Sequence, residues 1–85
     1  MFKYNIYTER LKMDWLKSII AENFPGFTVY YTDGRWGLID EKSVMIEIIT
    51  NNPAAEHWLQ LIALKIKGYN RQDSVLITKS NLEVL

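Results

Sequence analysis

Cysteine is absent from the chain, and with it any disulfide framework or thiolate metal site. Histidine occurs once, as His57, which leaves no cluster of imidazoles to hold a metal, and no cofactor is implied. Charge of one sign is missing too. Ten Lys and Arg face ten Asp and Glu without forming blocks, so the electrostatic footprint of a nucleic-acid or anionic-membrane binder is not there. No apolar run approaches the roughly 20 residues of a membrane span. The opening MFKYNIYTER alternates apolar and polar residues where a secretory signal would follow a basic region with an apolar run. The default compartment is therefore cytoplasmic, with no membrane and no nucleic-acid partner. The four glycines form no phosphate loop, and neither a Ser-His-Asp set nor a pair of clustered carboxylates stands out, so no catalytic residue is assigned.

What is present is a dense supply of core. An 85-residue chain reads as a single domain, residues 1–85, near the lower size at which burial alone suffices. Its 48% hydrophobic content, including three Trp, five Tyr and three Phe, must therefore do all the holding. A net charge near zero also favours self-association.

Phe2, Tyr4 and Ile6 alternate with Lys3, Asn5 and Tyr7, the period of a half-buried strand. Thr8 then reads as an N-cap. Leu11, Trp15, Leu16, Ile19, Ile20 and Phe24 follow at helical spacing, ending before Pro25. Phe27, Val29 and Tyr31 begin a second strand. Its hairpin turn falls either at Asp33-Gly34, the dipeptide suited to positive φ, or beyond Trp36 near Asp40. Ser43 to Thr50, rich in branched residues, predicts a central strand. Asn52-Pro53 then supplies a cap and an N1 proline. The stripe Ala55, Leu59, Ile62, Ile66 and Tyr69 predicts a second helix stopped near Gly68, and Ser74 to Thr78 predicts the last strand.

The order strand, helix, strand, strand, helix, strand predicts an α+β, ferredoxin-like split βαβ (βαββαβ) fold: a four-stranded antiparallel sheet with two helices on one face. The other face of the sheet is then left uncovered. It collects Lys3, Asn5, Tyr7, Thr28, Thr32, Glu47, Leu76 and Thr78 with the apolar Tyr30, Met45 and Ile49, which are candidate interface residues. Trp58 and Leu61, off the core stripe of the second helix, join them; Trp58 reads either as an interface anchor or as a lid over the core edge. A homo-oligomer, dimer or trimer, is the expected partner state.

The run FPGFTV, then DGRW, then EKSVMIEIIT and IKGYNRQDSVLIT resembles a family of small bacterial and phage-associated proteins described as a domain of unknown function. The resemblance rests on Phe24, Pro25, Gly26, Thr28, Val29, Gly34, Trp36, Glu41 and Ser43, then on Tyr69, Gln72, Ser74 and Val75. Asp73 stands where Glu or Gln is more usual, and the first strand matches loosely. No activity comes with it. Trp36-Gly37, Glu41 and Val44 to Ile49 are also similar, more loosely, to trimeric ferredoxin-like proteins of the divalent-cation-tolerance and nitrogen-regulator type. That likeness implies a symmetric oligomer, hairpins reaching to neighbours and clefts between subunits, but the metal ligands of such proteins are not matched.

The polar clusters lie on the hairpin and at the exit of the second helix. A cleft between them would use Arg35 and Arg71 to hold a small anionic ligand, Trp36 or Tyr69 to stack on it, and Glu41, Ser43 and Gln72 to orient it. The same residues also suit a solvated turn and strand start, with Ser43 bonding local backbone. The function favoured is a small non-enzymatic interaction or ligand-binding module that self-associates through its open sheet face and takes a protein partner or small anion. The alternative is a metal-independent enzyme, proton-transferring or lyase-like, using Tyr69, Glu41 and His57 in a cleft between subunits.

Overall fold

Alternation of branched and aromatic residues drives four strands, and two amphipathic stretches fold as helices over them. The computed structural model describes residues 1–85 apart from the side chain of Trp36. The elements are β1 (Phe2–Glu9), α1 (Met13–Ala21), β2 (Thr28–Trp36), β3 (Ile39–Thr50), α2 (Ala55–Asn70) and β4 (Leu76–Asn81). The strands form one antiparallel sheet in the order β2-β3-β1-β4, so β1 and β3 are central and the split βαβ plan expected from the sequence is the one found. No helix is long and apolar enough to cross a membrane.

One face of the sheet is buried. Tyr4 and Ile6 of β1 and Val44, Ile46 and Ile48 of β3 pack with Leu16, Ile19 and Ile20 of α1 and with Leu59, Ile62 and Ile66 of α2. Each such side chain contributes about 1.5–3 kcal/mol by leaving water. Trp58 is half-buried, edge-on to Phe24 with ring centroids 5.8 Å apart, while Leu61 is exposed.

The register fixes what faces away. Lys3, Asn5 and Tyr7 stand opposite Ile49, Glu47 and Met45, and Thr28 and Tyr30 stand opposite Glu47 and Met45. No helix covers these positions, and Tyr7, Tyr30, Ile49 and Leu76 are exposed.

Several boundaries differ from the sequence expectation, each for a local reason. Thr8 caps no helix: β1 runs on because Glu9 pairs with Ser43 and the Arg10 N–H donates to the Lys42 carbonyl at 3.0 Å. Helix α1 starts only after Lys12, which turns the chain at φ 50°, so Leu11 is exposed and off the stripe. The hairpin does not turn at Asp33-Gly34. Pairing continues through Asp33 opposite Lys42 to Trp36 opposite Ile39, leaving Gly37-Leu38 as the turn, with Gly37 at φ +58°. The Asn52 carboxamide accepts the Ala54 N–H at 2.9 Å in the turn that precedes α2, and regular helix begins at Ala55. Gly68 does not stop α2; the helix ends where Arg71 adopts φ 54° and the Gln72 N–H closes on the Lys67 carbonyl at 3.2 Å. Strand β4 begins at Leu76, two residues later than expected.

Candidate functional site

A mismatch in strand length makes the main concavity. Strand β1 pairs with β3 as far as Glu9 opposite Ser43, but with β4 only as far as Tyr7 opposite Leu76. Past Tyr7, the β4 side of β1 has no strand partner among the described residues, and the chain from α2 to β4 turns around the gap. The result is a cleft of about 360 Å³. Tyr7, Thr8 and Glu9 line it from β1. Glu41 and Ser43 come from β3, with Gly34 of β2 alongside, and Gln72, Asp73 and Ser74 come from the α2–β4 connection.

Hydrogen bonds fix one wall. The Gln72 Nε2 donates to Thr8 Oγ1 at 2.8 Å and to the Ser74 carbonyl at 2.9 Å, while Gln72 Oε1 accepts from Asn70 Nδ2 at 3.1 Å. Every position of that carboxamide capable of an N–H bond is engaged. Behind it, Lys12 Nζ donates to the Tyr69 carbonyl at 2.6 Å and lies 3.9 Å from the Tyr69 ring centroid, so a cation closes the end of α2 from the β1–α1 connection. On the opposite wall the hydroxyls of Ser43 and Thr32 bond at 2.8 Å.

The charged residues of the lining are acidic, while the Arg10 guanidinium lies behind the wall, donating to the Ser43 carbonyl at 3.2 Å and to the Thr32 carbonyl at 2.7 Å. Glu9, Glu41 and Asp73 contribute three carboxylates, and no Lys or Arg is among the described lining residues. A cation 4 Å from one carboxylate gains ~4 kcal/mol at an effective dielectric of about 20, before its own desolvation is charged against it. The carboxylates are not grouped as a metal cluster: among the described residues no three or more His, Cys, Asp or Glu are placed to hold an ion.

Of the residues named from sequence, Glu41, Ser43 and Gln72 meet in this cleft. Arg35 does not: its Nε donates to the Gly37 carbonyl at 2.9 Å and its Nη1 reaches Asp40 Oδ1 at 3.4 Å, both within the hairpin. Tyr69 packs against Trp15 with centroids 4.2 Å apart and the rings tilted by 47°, and Arg71 is exposed at the end of α2. The Trp36 side chain lies outside the described residues. His57 is exposed in the first turn of α2 and does not line the cleft, so within one chain the set Tyr69, Glu41 and His57 is not assembled. Sequence reasoning brings neither Thr8 nor Glu9 to this site, and it gives Asp73, within the polar exit of the second helix, no role there. Thr8 reads in the sequence as a helix cap, and the unequal strand pairing that sets it at the edge of the cleft leaves no mark in residue order.

Two titrating groups are shifted, both outside the cleft. A hydrogen bond from Lys42 and its charge hold the Asp33 carboxyl below its ordinary range, across an ion pair of 2.9 Å. The hydrogen bond to Glu56 raises Lys79, which bridges to that carboxylate at 3.1 Å while lying 4.1 Å from the Phe2 ring centroid.

No family model matches the chain, and no curated protein sequence matches it either. Solved structures do. A phage SAM lyase in its apo state superposes with a TM-score of 0.73 at 19% identity, covering 93% of this chain and 78% of the lyase. CPII, a nitrogen regulatory PII-like protein from Thiomonas intermedia K12 bound to ADP, AMP and bicarbonate, superposes with a TM-score of 0.65 at 14% identity, covering 98% of this chain and 90% of that one. The fold of the chain is thus shared with a phage SAM lyase and with a PII-like nitrogen regulatory protein.

Proposed function

We propose that the protein is a self-associating small-ligand binder whose acid-lined cleft takes a positively charged adenosyl compound of the S-adenosylmethionine class. The observation that carries this is the lining: Glu9, Glu41 and Asp73 with no described basic side chain among them. Such a wall repels the phosphates of a nucleotide and attracts a sulfonium and an α-ammonium group. The small anion first expected from Arg35 and Arg71 lacks the basic side chains it would need, since neither arginine lines the cleft. The ligands named for the two structural neighbours, SAM for one and ADP and AMP for the other, share an adenosine moiety, and of these SAM fits the charge.

A second reading goes one step further and makes the protein a lyase acting on that ligand. Glu41 favours it, as a carboxylate-bearing residue near the start of β3 that lines the cleft. A sulfonium carbon–sulfur bond breaks with its electron pair passing to sulfur, which leaves as a neutral thioether. A carboxylate accepting the β-proton as the new carbon–carbon double bond forms would complete an elimination. Self-association through Tyr30, Met45 and Ile49 would add a neighbour's surface to the open side of the sheet.

Calorimetric titration of S-adenosylmethionine into the wild type and Glu41→Gln tests the binding reading, with mass spectrometry of the ligand afterwards testing the lyase. Loss of one charged contact, about 1.5–3 kcal/mol, weakens binding roughly tenfold or more. Equal affinity in the two proteins would remove Glu41 from the site. Intact ligand after long incubation with the wild type would confine the function to binding.

A further inference from the structure

Thr8 is the one lining residue of the cleft that is almost wholly buried, 5% exposed, and it is polar. Its hydroxyl oxygen accepts the Gln72 Nε2 proton at 2.8 Å. The second proton on that nitrogen goes to the Ser74 carbonyl, and Asn70 Nδ2 occupies Gln72 Oε1, so the amide is locked with its donor side toward Thr8. A threonine hydroxyl carries one proton of its own, and the side-chain hydrogen bond that Thr8 makes among the described residues is the one it accepts from Gln72. Its oxygen is thus satisfied as an acceptor, and its proton is left to turn toward the cleft.

The carboxylates around it only accept hydrogen bonds when ionised, so they satisfy the cationic part of a ligand and none of its ring-nitrogen or hydroxyl acceptors. We infer that Thr8 is a specificity-determining contact that donates its hydroxyl proton to an uncharged acceptor on the ligand's nucleoside portion, with Gln72 as the positioning residue that forces Thr8 to present that proton. The assignment rests on the cationic adenosyl ligand proposed above and divides the cleft in two: carboxylates select the charge, and Thr8 selects the heterocycle or sugar attached to it.

The direction of the bond can be reversed, at the cost of setting a carboxylate oxygen against the Ser74 carbonyl that accepts from Gln72. In Gln72→Glu the side chain only accepts, so Thr8 turns its proton toward position 72 and has none for the ligand. The added negative charge by itself would tighten a cation. Three variants, Thr8→Val, Thr8→Ser and Gln72→Glu, are titrated with S-adenosylmethionine and with trimethylsulfonium, which has the charge and no such acceptor. Expected is about a tenfold loss of S-adenosylmethionine affinity in Thr8→Val and in Gln72→Glu, wild-type affinity in Thr8→Ser, and trimethylsulfonium binding no weaker than wild type throughout. Unchanged S-adenosylmethionine affinity in Thr8→Val would overturn the role of Thr8 and leave the proposed ligand standing. Equal loss of both ligands in Thr8→Val would overturn it as well, since that marks a collapsed wall. A wild type that binds trimethylsulfonium and not S-adenosylmethionine would refute the adenosyl ligand itself, and the Thr8 contact with it.

Discussion

Thr8 and Glu9 illustrate how a residue acquires a role from what its neighbours fail to do. Both are ordinary strand positions, yet because β4 stops pairing at Leu76 they border open space instead of another strand. Residue types alone indicated that Glu41, Ser43 and Gln72 were polar groups worth joining, and the fold brings those three together. Arg35 and Arg71 were grouped with them on charge, but Arg35 is engaged by Gly37 and Asp40 inside its own hairpin. The hairpin also holds a pH-sensitive pair. Asp33 is held below its ordinary value of 3.8 by Lys42, so this pair adds stability above that value and loses it as pH falls through the lower, folded value. A carbon-detected NMR titration should place the Asp33 midpoint below 3.8 in the wild type and return it to the ordinary range in Lys42→Ala. A midpoint that ignores the substitution would contradict the assignment.

At the scale of elements, the sheet has two faces with different histories in the sequence. The helix-facing set was legible because alternation with period two and helical stripes with period 3.6 both point to one core, and the register places Ile6, Ile46 and Ile48 where those patterns require. Element ends were not legible. Asp33-Gly34 has the chemistry of a turn, but cross-strand pairs on both sides of it outweighed that local preference and moved the turn to Gly37-Leu38. Gly68 was likewise overridden by the Arg71 backbone conformation and its closure onto Lys67. The open face carries Tyr30 opposite Met45, with Tyr7 and Leu76 in the same row and Ile49 two rows away on that face. The association proposed for it would be a property of the strands together. Light scattering coupled to size exclusion should give a multiple of the 10.0 kDa chain mass for the wild type and a lower mass for Tyr30→Glu, which sets a charge in that row. A wild type that elutes as a single chain across a concentration series would contradict a self-associating face.

Taken whole, the molecule combines a packed helix-covered side, an uncovered side and an acidic notch where the two meet at the end of β1. The fold is shared with proteins at 19% and 14% identity, a distance at which architecture persists while the chemistry of a cleft is free to differ. Function therefore has to be read from this chain's own lining, and the proposal of a cationic ligand rests there on Glu9, Glu41 and Asp73. The comparison to make is calorimetry of the wild type with S-adenosylmethionine and with S-adenosylhomocysteine, which keeps the adenosine and amino acid and replaces the sulfonium by a neutral thioether. An affinity at least tenfold higher for the sulfonium is expected, and it should fall as salt is raised. Equal binding of the two, or tighter binding of ADP than of either, would contradict a cleft built to select positive charge.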